Sequence, residues 1–173
     1  TGNQGILTTT GAIQTITGDI GSSTSSLNTL NIGEVGDDSK TTINGNVFAN
    51  STVLNNNGTT NSSELILASG KNITSTITTA DANMGILTLA GGTQIVTGQV
   101  GTNGNKLAEV NAGNGTSTFV NDVYATNLDV EGTGTVNLDG KFTGTAVRYN
   151  ADGTVILADT KNIDSSVTTA TNN

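Results

Sequence analysis

Apolar residues in this chain alternate with polar ones in short runs. Ile73, Ser75 and Ile77 point one way while Thr74, Thr76 and Thr78 point the other, Ile86, Thr88 and Ala90 oppose Leu87 and Leu89, and Val136 and Leu138 flank Asn137. A period of two marks strands with one buried face. The runs are cut by Gly or Asn at Gly18, Gly33, Asn57-Gly58, Gly70, Gly91-Gly92, Asn103-Gly104, Asn114-Gly115, Gly132, Gly140 and Gly153, residue types that accept turn conformations. Strand centres are predicted near residues 7, 15, 30, 46, 66, 76, 88, 95, 109, 121, 129, 137, 145, 156 and 166. Helix is disfavoured throughout, because Thr (33 residues), Asn (23) and Gly (23) make up nearly half of the chain.

The pattern is written twice. "GILTTTGAIQTITGDIG" at Gly5–Gly21 returns as "GILTLAGGTQIVTGQVG" at Gly85–Gly101, with nine of seventeen positions identical. "LNTLNIG" at Leu27–Gly33 returns as "LAEVNAG" at Leu107–Gly113, again 80 residues on. "VFA" at Val47–Ala49 meets "VYA" at Val123–Ala125 at an offset of 76, and Glu64–Asn83 meets Thr154–Asn173 at an offset of 90. The chain therefore reads as one segment, 1–173, made of two internal repeats, 5–83 and 85–173. Thr1 and Asn173 both stand in mid-pattern, as expected of a fragment of a longer protein.

Two all-β architectures satisfy this pattern. One is a right-handed parallel β-helix, a solenoid of roughly eight coils of about 20 residues, some 40 Å long. The alternative is two tandem β-sandwich domains, since 80 to 90 residues also suits an immunoglobulin-like module. A sandwich core draws on bulky side chains, and only Phe48, Phe119, Phe142, Tyr124 and Tyr149 are aromatic here. Thirty-eight Val, Ile and Leu residues suit a narrow solenoid better. No Pro-containing linker separates the copies.

Charge and composition exclude several functions. The net charge is −8 and the six cations (Lys40, Lys71, Lys106, Lys141, Arg148 and Lys161) are dispersed, so no basic surface is expected for nucleic acid. An anionic membrane would repel the chain, and no apolar run approaches the length of a spanning helix. With no His and no Cys, the usual nucleophile–base triads and thiolate or imidazole metal sites are absent. Neither catalytic, cofactor-binding nor metal-binding residues are assigned.

Some motifs still need weighing. Asp129 and Glu131 read as sharing a strand face, with Arg148 some distance further along the chain. Polysaccharide-cleaving enzymes need such convergent acids, but a solvated outer face is the expected role. Glu34–Lys40 and Asn150–Gly153 contain acidic turn residues without calcium-loop spacing. Thr-rich runs such as "ITSTITT" could order water only if they repeated at one position on every coil, and they do not. Asn50, Asn57, Asn61, Asn72 and Asn114 head glycosylation-type triplets expected by chance in so Asn- and Thr-rich a chain. The repeat-matched Asn31/Asn111 and Asn72/Asn162 suit turns or side-chain ladders running from coil to coil. The divergent loops Asp37–Lys40 and Asn55–Ser63 are expected to be exposed contact regions.

The blocks "GILTLAGGTQIVTGQVG", "LAEVNAGNGTSTFVNDVYATNLDVEGTGTVNLDGKFTG" and "VILADTKNI" resemble autotransporter passenger domains, above all the large rickettsial surface antigens of the outer membrane protein A and B type. The resemblance covers nearly the whole chain. It implies a β-helical passenger exported across the outer membrane and displayed on the bacterial cell surface. It also implies adhesion to host cells, contribution to a surface coat, and a role in virulence. The expected function is a non-catalytic stalk or adhesin segment. Its partners would be a host-cell surface receptor and neighbouring coils of the full-length chain, with no nucleic acid, no cofactor and no membrane insertion of this segment. The alternatives are a β-helical carbohydrate-active enzyme and an S-layer-like coat protein.

Overall fold

A computed structural model describes residues 3–56, 58 and 62–170. Its elements are β1 (Gln4–Thr9), β2 (Ile13–Ile16), β3 (Leu27–Ile32), β4 (Lys40–Ile43), β5 (Val47–Leu54), β6 (Glu64–Leu67), β7 (Ile73–Thr79), β8 (Met84–Leu89), β9 (Gly92–Val96), β10 (Leu107–Ala112), β11 (Gly115–Phe119), β12 (Val123–Val130), β13 (Thr135–Leu138), β14 (Phe142–Tyr149), β15 (Thr154–Leu157) and β16 (Ile163–Thr169). All are strands, and every strand-to-strand pairing is parallel, odd-numbered with odd and even-numbered with even. That is a β-solenoid rather than a pair of sandwiches.

Around the coil the chain crosses three faces, each traced by a row of paired residues. Face A runs Leu7, Leu30, Thr52, Ile77, Val100, Val123, Phe142, Ile163. Face B runs Gln14, Thr41, Leu65, Leu87, Val110, Leu128, Val147, Val167. Face C runs Ile20, Val47, Ile73, Val96, Phe119, Leu138, Leu157. Most of these side chains are fully buried, so the core is three stacked columns meeting on one axis. Alternation explains why: in β7, Ile73, Ser75, Ile77 and Thr79 are buried while Thr74 and Thr76 are exposed.

Along face B the register passes from Ile13 to Lys40, Glu64, Ile86, Glu109, Asn127, Ala146 and Ser166, so successive turns take 27, 24, 22, 23, 18, 19 and 20 residues. The fold thus has about seven turns where sequence suggested eight, because loops lengthen the N-terminal turns. At about 4.8 Å per turn the stack is about 34 Å long. Two expected strand centres were also misplaced. Residues 46 and 121 lie in corners between strands, β4 to β5 and β11 to β12. Both corners are three residues long, and alternation runs unbroken through the first of them, 44–46, so periodicity alone does not reveal that corner.

The two repeats do not superimpose face on face. Leu7 lies on face A, and its counterpart Leu87 lies on face B; Leu30 and Val110 differ likewise, and Ile20 on face C corresponds to Val100 on face A. The first copy crosses ten faces, from Leu7 to Ile77, and ten is not a multiple of three. The second copy therefore starts one face further round, rotated by a third of a turn.

Specific side chains lock this junction. Leu87 stacks on Leu65 and both are fully buried. Gln94, fully buried, accepts from the Gly91 amide (2.8 Å) and donates across the junction to the carbonyls of Ala68 (3.0 Å) and Lys71 (3.3 Å). Asn72 Oδ1 accepts from the Ile95 amide at 2.8 Å. Gly98 sits so close to the turn beneath that a Cβ there would stand 1.9 Å from the Ser75 carbonyl oxygen.

Replacing Gln94 with Leu keeps the volume but removes its hydrogen bonds to Gly91 and Lys71. The expected loss is about 2–3 kcal/mol of folding stability, read as a lowered urea midpoint with unchanged slope.

Candidate functional site

Face B brings one of the two sequence-flagged acids, Asp129, to Arg148, though not as half of a catalytic pair. Asn111, Asp129 and Arg148 occupy one outward row on successive turns. The Arg148 guanidinium holds Asp129 through both carboxylate oxygens and reaches Glu109 Oε2 at 3.1 Å. Hydrogen bonding to Asp129, ahead of the field of Glu109, raises the Arg148 pKa above the ordinary arginine value. Asp129 is 1% exposed, so the expectation of a solvated acid is corrected: Arg148 lies over it. Glu131 lies beyond the end of β12 and accepts from Asn150 Nδ2 at 2.7 Å. Asp129 and Glu131 are thus committed to different partners, and Glu109 shares Arg148 with Asp129.

A more extended feature is a ridge of loops along the corner between faces A and B. Among the described residues it comprises Gly33–Ser39, then Asn55, Asn56, Gly58, Ser62 and Ser63, then Ala80–Asn83 and Gly101–Lys106, from four consecutive turns. Asn55 Nδ2 donates to the Gly33 carbonyl (2.8 Å), the Gly36 amide to the Asn56 carbonyl (2.9 Å), and the Ser39 amide to Ser63 Oγ (3.0 Å). Ser62 Oγ lies 3.6 Å from the Met84 sulfur, and the Asn83 amide donates to the Lys106 carbonyl (2.8 Å). The ridge carries Glu34, Asp37, Asp38 and Asp81 against one lysine, Lys106, and Val35 on it is 86% exposed. Lys40, at its base, pairs with Glu64 at 2.7 Å.

The loops named from sequence are therefore part of this ridge, with a correction. Asn55, Asn56, Ser39 and Ser63 are buried anchors rather than exposed contacts; Asn57, Thr59, Thr60 and Asn61 lie outside the described residues. Sequence reasoning missed that four loops share one corner. Gly101–Lys106 corresponds to Gly21–Ser26 in the first copy, which lies at a different corner, between faces C and A. The third-of-a-turn rotation carries it onto the ridge.

The remaining motifs divide clearly. Asn31 and Asn111 each donate to the Thr one turn below, Thr8 at 3.1 Å and Thr88 at 3.2 Å, so the expected coil-to-coil ladder is present at both. Asn72 bonds across turns through its side chain, and the Asn162 carbonyl accepts from the Phe142 amide at 3.1 Å. The outward row of face B reads Thr15, Thr42, Ile66, Thr88, Asn111, Asp129, Arg148, Thr168, which is no regular Thr array. Of the glycosylation-type triplets, Asn50 and Asn114 are exposed, and Asn57 and Asn61 fall outside the described residues. Among the described residues, no group of three or more acids is placed to hold a metal ion, and no helix is long and apolar enough to cross a membrane.

The chain is similar to a rickettsial outer membrane protein. Over 122 residues, 68% of its length, it is 36% identical to outer membrane protein A of Rickettsia rickettsii. It spans about 5% of the length of that protein. No protein-family model and no solved structure matches it. The similarity, together with the solenoid, is consistent with a surface antigen and fits a surface-displayed role.

Arg148→Met leaves Asp129 covered but unpaired and is expected to cost more stability than Asp129→Asn combined with Arg148→Met. A double-mutant cycle by urea unfolding should give a coupling of about 1–3 kcal/mol.

Proposed function

We propose that this chain is a non-catalytic segment of an autotransporter passenger, exported to the bacterial surface, where it acts as stalk and adhesin and adds to the surface coat. The observation that carries this reading is the ridge. Four adjacent loops, bonded to one another in two pairs, are mounted on the stack, the arrangement by which scaffolds present contact residues. Similarity to a rickettsial outer membrane protein supports the location. A host-cell surface receptor is the partner the ridge would meet. Its acidic character favours a receptor face with exposed cations, and Val35 offers an apolar anchor.

The carbohydrate-active alternative needs two acids free to flank a glycosidic bond. Arg148 lying over Asp129 and Asn150 bonding Glu131 weigh against it.

Beads coated with the chain should bind cultured mammalian cells saturably. Changing Glu34→Gln, Asp37→Asn, Val35→Ser and Asp81→Asn together should reduce that binding about tenfold or more with the thermal midpoint preserved. Absence of binding by the parent chain, or equal binding by the variant, would overturn the adhesive reading.

A further inference from the structure

Two loops of the molecule are closed in the same way, one in each copy. The Thr102 amide donates to the Asn105 carbonyl at 2.9 Å, and the Asn105 amide donates to Thr102 Oγ1 at 2.9 Å. Their counterparts 80 residues earlier do the same. The Ser22 amide donates to the Ser25 carbonyl at 3.0 Å, and the Ser25 amide donates to Ser22 Oγ at 3.1 Å. What the closing bonds enclose differs: Ser23-Thr24 in the first copy and Asn103-Gly104 in the second.

Nothing in the loop requires that second pair. The φ of Gly104 is not positive, a Cβ there would meet nothing within 4 Å, and Thr24 fills the matching position. An Asn followed by Gly does have a chemistry of its own. The following backbone nitrogen can close a five-membered ring on the side-chain carbonyl carbon, and with glycine no Cβ shields it. Attack needs the two atoms in near-attack geometry, about 3–3.5 Å apart, so the peptide between them must be free to rotate.

That freedom separates the Asn-Gly pairs of this chain. Asn103 and Gly104 are both exposed, and among the described residues nothing accepts from the Gly104 amide. The residues after them are held. Asn105 Nδ2 reaches the Ala80 carbonyl at 3.5 Å, and the Lys106 carbonyl accepts from the Asn83 amide at 2.8 Å. At Asn44-Gly45 the glycine is buried and a Cβ would stand 2.3 Å from the Gly18 backbone. The amides on either side of it, of Asn44 and Asn46, donate to the Ile16 carbonyl and to Asp19 Oδ1. At Asn114-Gly115 the glycine opens β11 opposite Gly92, and a Cβ would stand 2.2 Å from the Gly92 oxygen. The Gly58 amide is taken by Asn56 Oδ1 at 2.7 Å, and Asn57 lies outside the described residues.

We propose that Asn103 is a site of spontaneous covalent modification. The Gly104 nitrogen gives up its proton and bonds to Asn103 Cγ. The Cγ–Nδ2 bond breaks, and the side-chain nitrogen leaves with that proton as ammonia. Water then opens the cyclic imide at either carbonyl carbon. Opening at Cγ leaves an aspartate. Opening at the main-chain carbonyl carbon leaves an isoaspartate, whose backbone is one methylene longer. Either product adds a negative charge to the ridge close to Lys106. The equivalent loop of the first copy, with Ser23-Thr24, lacks the side-chain amide and is inert to this chemistry. The modification holds whether or not the ridge meets a receptor.

The folded chain, kept at mildly alkaline pH and body temperature, should gain about 1 Da per event. Peptide mapping should place the change at Asn103 at least about tenfold faster than at Asn44 or Asn114. In strong urea, which releases all three, the rates should converge. Gly104→Thr installs the residue of the first copy and should slow the reaction about tenfold or more, with the thermal midpoint unchanged. The proposal is overturned if Asn103 in the folded chain reacts no faster than Asn44 and Asn114, or lags far behind its own rate in urea. It is equally overturned if Gly104→Thr reacts as fast as the parent.

Discussion

Each turn of this molecule is shaped by hydrogen bonds to the turn beside it. Val47 donates to the Asn72 carbonyl at 2.9 Å, Ile77 to Gln99 at 2.9 Å and Val100 to Asp122 at 3.0 Å, and the same parallel pairing repeats along all three faces. A single turn has no internal ladder and cannot cover its own apolar residues. The backbone bonds fix the register, and the register places like beside like: Leu65 on Leu87, Phe119 between Val96 and Leu138. Core, corners and loops all inherit their positions from that stacking.

The same constraint explains what could be read from the sequence. Inward and outward residues follow from alternation alone, as β7, β8 and β13 show. The duplication is plain in the letters, and so is the ladder role of Asn31 and Asn111. Corners were harder, because one such as Asn44–Asn46 interrupts the strand without interrupting the alternation. Rotation between the copies was hidden altogether. An offset of 80 residues gives no sign of how many faces it spans, and only the pairing of Leu65 with Leu87 tells. Burial of Gln94 was equally hidden, since Gln in an alternating run reads as an outward residue until a neighbouring turn is seen to supply its acceptors.

What the surface can do follows from where polar groups already have partners. The Glu109–Asp129–Arg148 cluster is knitted into the outer face of the stack, and Asp129 lies beneath Arg148. The loop ridge differs. Its anchors are buried and bonded, while Glu34, Asp37 and Asp81 are exposed. Recognition spread over a row of loops tolerates change in any one of them, which accords with the divergence between the two copies in these segments.

A first copy of ten faces has a bearing on how such proteins change over time. Duplication need not respect whole turns. Any insertion that begins and ends at a corner can be stacked, because every face offers the same backbone ladder to the next. The remainder after division by three then decides the direction in which inherited loops point. A lineage can in this way redistribute its outward segments around the rod by copying alone, before a single surface residue has mutated.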